Sequence, residues 1–247
     1  MIQIIPAIDL IDGRCVRLTR GDYSQKKVYD GEPAELARQY ADCGVGRIHL
    51  VDLDGAKAGR PCNLKTLEAI ASAVSCELEW GGGIADDAAL GSVFGAGATH
   101  AIIGSTAALH PERLDAWLEQ YGPRMILGAD IREERVAISG WQDSVALGIE
   151  DVVSRFLSAG LQECIVTEIS RDGMLQGPAT ALYVRLQRIF PGIRFTVSGG
   201  VSSMSDIRAL DALHLRSVIV GKALYENRIT LKDIAAWSQN ASSPASM

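Results

Sequence analysis

Short apolar runs alternate along the chain with amphipathic segments. The runs are rich in β-branched residues and short enough to be buried strands, whereas the segments between them have the apolar periodicity of helices. The predicted strands span residues 2–8, 47–52, 77–80, 100–104, 124–129, 162–167, 193–198 and 216–220. The predicted helices span residues 33–43, 63–74, 86–95, 111–121, 149–159, 179–190, 204–212 and 230–238.

This alternation predicts an α/β protein with a single (β/α)8 TIM barrel. The strand-then-helix units follow one another without a linker, and each helix supplies the crossover that parallel strands require. A doubly wound open sheet is the alternative, but its usual GxGxxG loop after the first strand is absent. We expect the barrel to span residues 1–239. The tail, residues 240–247, is rich in Ser and Ala and is expected to be disordered.

Two glycine-rich patches follow predicted strands at one spacing. In each, the glycine after the next strand lies 21 positions after the last glycine of the cluster. Such glycines let backbone amides approach an anion closely, although a single cluster could equally form a tight turn. The pair predicts a ligand with a phosphate at each end. We call them the first glycine site, comprising Gly82, Gly83, Gly104 and Ser105, and the second glycine site, comprising Gly199, Gly200, Gly221 and Lys222.

The two halves of the chain resemble each other beyond these glycines. The glycine patches lie 117 positions apart, Asp54 lies 118 positions before Asp172, and Asp9 lies 121 positions before Asp130. Near-constant offsets indicate an internal duplication, with half-barrels of about residues 1–123 and 124–239. Matching strands lie opposite each other in a barrel, so the two phosphate sites should face each other across its C-terminal mouth.

Composition limits the partners of the chain. A net charge of -6, with no run of lysine or arginine, argues against binding to nucleic acid or to a membrane surface. The five cysteines are odd in number and lack CxxC spacing, which favours reduced thiols and a cytoplasmic location. The histidines lack metal-ligand spacing, so we expect no metal, and a barrel that closes its own core is expected to be a monomer.

Polar residues at the predicted strand ends are mostly carboxylates. Residues at these ends of a barrel face the active site. Two carboxyl groups in different surroundings can act as acid and base, whereas a single aspartate there is often only a helix cap. Asp9 and Asp172 together, facing a cavity for a diphosphate ligand, favour proton transfer. The candidates are Asp9, Asp52, Asp130, Thr167 and Asp172.

Seven motifs carry a resemblance to a known family. The chain resembles the ProFAR isomerase family of histidine biosynthesis over essentially its whole length, to about residue 238. The motifs occur in the order of the family. They are residues 5–10 (IPAIDL), 21–23 (GDY), 49–53 (HLVDL), 80–84 (WGGGI), 139–141 (SGW), 169–173 (ISRDG) and 220–224 (VGKAL).

The resemblance implies an Amadori rearrangement, in which an N-linked phosphoribosylamine with two phosphates becomes the aminoketose without a cofactor. Asp172 would protonate the ribose ring oxygen, and Asp9 would take the proton from the second sugar carbon. Asp130 and Thr167 match supporting positions that hold the substrate hydroxyls and tune the acid and the base. The family also agrees with phosphate binding at the two glycine sites.

Two loops are expected to close over the substrate. Arg20 lies in the long polar loop after the first strand, and Trp141 ends a predicted hairpin over residues 136–141, where it could stack on the imidazole or pack locally. At two positions the chain differs from the residue that is frequent in the family. Ala85 stands where many members have arginine, which leaves open whether a cation serves the first glycine site, and Lys222 replaces a frequent arginine, losing its bidentate fork.

Three alternatives remain. The sister cyclase of the pathway typically has a cysteine before the strand-one Leu-Asp and a lysine in the following strand, where this chain has Ala7-Ile8 and Arg17. A dual-specificity isomerase that also serves tryptophan biosynthesis usually has arginine where Ser139 stands. A non-catalytic sugar-phosphate binder would gain nothing from carboxylates in an anion site. Asp9→Asn separates the last alternative, because a binder should keep its affinity whereas an isomerase should lose turnover.

Overall fold

A computed structural model describes residues 1–19, 22–29, 31–132, 135–138 and 143–242. The strands in these ranges are β1 (Gln3–Ile11), β2 (Arg14–Thr19), β3 (Asp22–Val28), β4 (Arg47–Asp52), β5 (Glu77–Gly81), β6 (His100–Ile103), β7 (Met125–Arg132), β8 (Arg135–Ile138), β9 (Asp143–Gly148), β10 (Glu163–Glu168), β11 (Arg194–Ser198) and β12 (Ser217–Val220). The helices are α1 (Pro33–Asp42), α2 (Leu53–Ala58), α3 (Leu64–Ala73), α4 (Asp87–Gly95), α5 (Ser105–Leu109), α6 (Pro111–Tyr121), α7 (Ile149–Leu157), α8 (Thr180–Ile189), α9 (Met204–Ala212), α10 (Lys222–Tyr225) and α11 (Leu231–Ser242).

Eight of these strands form a closed parallel barrel. Their order is β1, β4, β5, β6, β7, β10, β11 and β12, and β12 pairs back with β1, where Gln3 lies opposite Ser217. Each predicted strand is present to within a few residues, so the predicted (β/α)8 barrel is confirmed. The internal duplication stays a prediction. Helix α11 continues to Ser242, so residues 240–242 are helical where a disordered tail was expected.

An antiparallel strand pair follows each of two barrel strands. Strands β2 and β3 follow β1, although the sequence analysis predicted a loop here, and they form because Ile11, Val16 and Leu18 bury an apolar face against Leu53. Strands β8 and β9 follow β7 and pair antiparallel, so a hairpin is present here, and the described residues 136–138 of the predicted hairpin form part of its first strand. Residues 139–142, like Arg20 and Gly21, lie outside the described residues.

The barrel interior is built in layers, because side chains of a strand alternate between its two faces. On β10, three side chains share the inward face. Glu163 lies in a charged layer at the base of the barrel, Ile165 in an apolar middle layer and Thr167 in a polar layer at the mouth. The middle layer is one buried apolar cluster, which therefore separates the charged base from the mouth. Its buried members are Ile5, Ala7, Ile126, Ile165 and Ile219.

Arg47 organises the charged base of the barrel. Its guanidinium donates to Glu77 at 2.9 Å, to Glu79 at 3.1 Å and to Glu163 at 2.9 Å. Glu79 is fully buried and also lies 2.7 Å from His49 Nδ1. Burial alone would raise the pKa of Glu79, but the hydrogen bonds and charges of His49 and Arg47 bring this pKa below its usual value. The base is therefore a compensated ionic network.

Candidate active site

Arg17 joins the two carboxylates that the sequence analysis assigned to catalysis. Strand β2 runs antiparallel to β1 and pairs Val16 with Asp9, so Arg17 lies next along the strand from the partner of Asp9. Arg17 Nη1 donates to Asp9 Oδ2 at 2.6 Å, and Arg17 Nη2 lies 3.6 Å from Asp172 Oδ1. The Nε atom of Arg17 is buried without a hydrogen-bond partner. The structure therefore brings Asp9 and Asp172 to one guanidinium.

The surroundings of Asp172 favour its protonated form. Burial raises the pKa of this carboxyl above its ordinary value; Arg17 opposes the rise, while the charges of Asp9 and Asp130 add to it. Burial alone would lower the pKa of Arg17, but Asp9 and Asp172 raise it above its usual range, so the guanidinium stays charged. The mouth thus combines a fixed cation with a carboxyl group that holds its proton more tightly than usual.

Asp130 and Thr167 lie near the C-terminal ends of adjacent barrel strands. They lie opposite each other in the parallel register of β7 and β10, and the side-chain alternation of both strands directs them inward. Thr167 is buried, and the charge of Asp130 acts on Asp172. Both residues therefore belong to the same mouth as the candidate acid.

Asp52, the fifth candidate, is a structural residue. Its carboxylate is fully buried and accepts hydrogen bonds from the backbone amides of Gly55, Cys62 and Asn63 at 2.7–3.0 Å. It also accepts from Asn63 Nδ2 at 2.7 Å. Since it caps α2 and fixes the loop that follows, the helix-cap interpretation holds for this aspartate.

The second glycine site lies against the loop that carries Asp172. Gly199 and Gly200 have φ angles of 88° and 83°, and a β-carbon on Gly199 would lie 3.5 Å from the Asp172 backbone. Lys222 Nζ donates to the carbonyl of Gly173 at 2.8 Å. These residues line one small cavity together with Arg17. Glycine is needed here because both φ angles are positive and because a β-carbon on Gly200 would collide with the Gly177 carbonyl.

The first glycine site packs on a different loop. Gly82 and Gly83 have φ angles of 104° and 80°, and their β-carbons would collide with the backbone carbonyls of Asp52 and Arg60. Gly104 precedes α5, and Thr106 Oγ1 on that helix donates to Ile84 O at 2.8 Å.

A cation does lie beside the first glycine site. The carbonyl of Ala85 accepts a hydrogen bond from the guanidinium of Arg113 on α6. Arg113 was not singled out from the sequence, because it is 28 residues from Ala85 along the chain. The alanine at position 85 therefore does not leave this loop without a nearby positive charge.

Two predicted binding residues, Arg20 and Trp141, lie outside the described residues, so their roles stay predictions. Within the described ranges, no three His, Cys, Asp or Glu side chains are grouped so that they could hold a metal ion. None of the helices described is long and apolar enough to cross a membrane.

The fold and the site together define a (β/α)8 barrel with the architecture of an enzyme, in which the candidate catalytic residues lie around the C-terminal ends of the strands. A family model described as histidine biosynthesis protein matches residues 3–230, and the chain belongs to this family. The resemblance seen in the sequence motifs is therefore confirmed.

Curated relatives match nearly the full chain. A Cytophaga hutchinsonii protein is 46% identical over 239 residues, covering 96% of this chain and 100% of that protein. A Bacteroides thetaiotaomicron protein is 46% identical over 95% of this chain and 98% of its own. A Flavobacterium psychrophilum protein is 42% identical over 94% of this chain and 97% of its own. All three are named 1-(5-phosphoribosyl)-5-((5-phosphoribosylamino)methylideneamino) imidazole-4-carboxamide isomerase.

Proposed function

We propose that this chain is the isomerase that converts the aminoaldose ProFAR into its aminoketose by an Amadori rearrangement, a step of histidine biosynthesis. The relatives that carry this name match the chain over nearly its full length. The observation that carries the mechanism is the contact of Arg17 with both Asp9 and Asp172. It puts a candidate base and a candidate acid on one cation at the barrel mouth.

Asp172 is the acid of the first step. Burial raises its pKa, which favours the form that can act as an acid, and it donates its proton to the ring oxygen of the phosphoribosylamine. The bond between that oxygen and the first sugar carbon breaks, its electron pair goes to the oxygen, and a protonated Schiff base to the amine nitrogen remains. The ring is then open and the second carbon is acidic.

Asp9 is the base of the second step. Its carboxylate, paired with Arg17, takes the proton from the second sugar carbon. The electron pair of the broken carbon–hydrogen bond forms a double bond to the first carbon and neutralises the iminium nitrogen. The resulting enolamine tautomerises: its hydroxyl proton is lost, a proton is added at the first carbon, and the ketose forms without net gain or loss of atoms.

Asp130 and Thr167 hold the sugar between the acid and the base. Both lie near the ends of neighbouring strands at the mouth, where short polar side chains can hydrogen-bond the ribose hydroxyls. Because the charge of Asp130 also raises the pKa of Asp172, this residue supports the acid as well.

The two glycine sites bind the two phosphates, with Arg20 and Trp141 as the expected contacts from the loops. Gly199 packs directly against Asp172, so the phosphate at the second glycine site belongs to the sugar whose ring opens. The first glycine site, with Gly82, Gly83, Gly104 and Ser105, takes the phosphate at the other end.

The chain is further proposed to act as a cytoplasmic monomer without a nucleic-acid partner. The barrel closes its own sheet, so no second copy is needed to complete it. All five cysteines are free thiols, which suits a reducing compartment.

An absorbance assay tests this function. The purified chain is mixed with ProFAR and with the synthase that consumes the ketose product, and phosphoribosylanthranilate is assayed in parallel. We expect turnover of ProFAR alone. Turnover of both substrates would identify a dual-specificity isomerase, and turnover of neither would favour the cyclase or a binding protein.

Two variants extend the assay to the catalytic assignment. Asp9→Asn is expected to lower turnover by about 10²–10⁴-fold, the usual contribution of a general base, with substrate binding retained. Asp54→Asn is the matched control, because Asp54 accepts its hydrogen bonds from the Asp12 amide and Asn63 and has no place in the mechanism. Unchanged turnover in Asp9→Asn would contradict the assignment.

A further inference from the structure

The two glycine sites differ in what their backbones contact. The first glycine site packs on the carbonyls of Asp52 and Arg60, in a loop that the buried Asp52 carboxylate already fixes. The second glycine site packs on the loop that carries the candidate acid: a β-carbon on Gly199 would meet Glu168 and Asp172, and one on Gly200 would collide with the Gly177 carbonyl. Anion binding at the second site can therefore act on the acid, whereas anion binding at the first cannot do so directly.

Lys222 connects the second glycine site to the acid. Its ammonium has three N–H donors, and one of them is bound to the carbonyl of Gly173, the residue after Asp172. The same side chain lines the cavity between Gly199, Gly200 and Gly221, where the phosphate is proposed to bind. One ammonium can thus hold the acid-bearing loop and contact the anion at once.

The second glycine site also contacts the base side of the mouth. A β-carbon on Gly221 would collide with the guanidinium of Arg17, so the missing side chain makes room for it. Arg17 in turn holds Asp9 at 2.6 Å. Both carboxylates are therefore one contact away from the phosphate loop formed by Gly221 and Lys222.

We propose that phosphate binding at the second glycine site positions the catalytic carboxylates, with Lys222 as the positioning residue, whereas the first glycine site only anchors the substrate. This inference rests on the proposed isomerase function. Its physical basis is that binding energy from a non-reacting group can be used to fix the geometry of the reacting groups. The two phosphates then contribute to different kinetic constants.

The kinetic test compares Lys222→Met with Ser105→Ala, the residue 117 positions earlier in the first glycine site. Lys222→Met is expected to lower kcat by about 10²-fold, because a displacement of about 1 Å in a reacting group has that cost. Lys222→Arg should restore most of kcat, since it keeps the positive charge on a long side chain. Ser105→Ala should mainly raise KM. A Lys222→Met variant that raises KM while keeping the kcat of the wild type would overturn the proposal.

A second measurement does not depend on turnover. Inorganic phosphate is added to the wild type and to Lys222→Met, and amide hydrogen exchange is followed in peptides spanning residues 169–177 and 52–61. Phosphate should slow exchange in residues 169–177 of the wild type, without effect in Lys222→Met and with little effect in residues 52–61. If phosphate leaves residues 169–177 unchanged in the wild type, the coupling is wrong, whatever the substrate proves to be. A wild type without ProFAR turnover would instead refute the proposed function.

Discussion

The two ends of the barrel each contain an arginine between carboxylates, yet the two clusters differ in how completely they are paired. At the base, Arg47 makes hydrogen bonds of 2.9–3.1 Å to three glutamates. At the mouth, Arg17 makes one contact of 2.6 Å to Asp9 and a longer one of 3.6 Å to Asp172, and its Nε has no partner. The same chemical groups thus form a satisfied network at one end and an incomplete one at the other.

The difference in pairing gives the two clusters different roles, one in stability and the other in catalysis. A fully hydrogen-bonded buried network fixes one arrangement, because any change leaves a charge uncompensated. A partly paired network keeps a proton and a donor available for a substrate, at a cost to the folded state. The base of this barrel has the first character and the mouth has the second.

The largest expected effect is the loss of the base cation. Arg47→Met removes the cation that joins the buried Glu79 and Glu163. Only His49 then stays near Glu79, and Glu163 keeps Thr196 and a longer contact with Arg194, so the free energy of unfolding should fall by about 3–5 kcal/mol. Urea denaturation measures this loss. Arg17→Met is the matched substitution at the mouth, where the cavity admits water, and it should cost about 1 kcal/mol. Equal losses in the two variants would remove the distinction between the two ends.

Of the two arginine variants, Arg17→Met should have the larger effect on catalysis. Arg17→Met is expected to lower kcat/KM by about 10²-fold, or about 2.7 kcal/mol, because Asp9 loses the cation that holds it. Since Arg17 lowers the pKa of Asp172, its removal should also move the alkaline limb of the pH–rate profile to higher pH. Arg14→Met, an exposed arginine on the same strand, is the control and should behave as the wild type. An alkaline limb that stays in place would show that Arg17 does not act on the acid.

Most of the barrel, and several residues at its mouth, could be predicted from the sequence. The eight barrel strands follow from apolar periodicity. Asp9, Asp130 and Thr167 follow from their positions at predicted strand ends, and Asp172 from its place in the loop after one of these strands. Strand-end position alone did not separate Asp52 from the others, because the amides that bind its carboxylate come from a loop whose path is not visible in the sequence.

Arg17 and Arg113 were missed for a different reason. Arg17 entered the sequence analysis only as a difference from the sister cyclase. Because the segment that became β2 was expected to be a loop, no contact between Arg17 and Asp9 was predicted. Arg113 contacts Ala85 because α6 packs beside the loop that contains Ala85, and no local sequence pattern specifies that packing. The network at the base of the barrel could have been predicted, because Arg47, Glu79 and Glu163 lie within apolar strands. Charged side chains that are buried there must pair with charges of opposite sign.

The pH dependence of stability should have opposite signs at the two ends. The pKa of Glu79 is lowered on folding, so its contribution to stability is present above the pKa of an unfolded glutamate, about 4.3, and is lost as the pH falls through the folded value. Glu79→Gln should therefore reduce stability by about 2 kcal/mol at neutral pH and by less in acid. Glu77→Gln is the control, because the Glu77 side chain is half exposed. Denaturant unfolding from pH 3 to pH 7 measures both, and parallel curves for the two variants would contradict the prediction.

The smallest expected effect is a gain in stability at the mouth. The pKa of Asp172 is raised on folding, so ionising this carboxyl opposes folding, and the resulting loss of stability develops as the pH rises through its folded pKa. Asn cannot ionise in the folded or the unfolded chain, so Asp172→Asn removes this loss. The variant should be more stable than the wild type by about 1 kcal/mol at neutral pH, equal to it in acid, and inactive. Asp9→Asn should lose stability instead, because Arg17 loses the partner at 2.6 Å. A destabilised Asp172→Asn at pH 7 would mean that its longer contact with Arg17 outweighs its burial, and that the mouth is as fully compensated as the base.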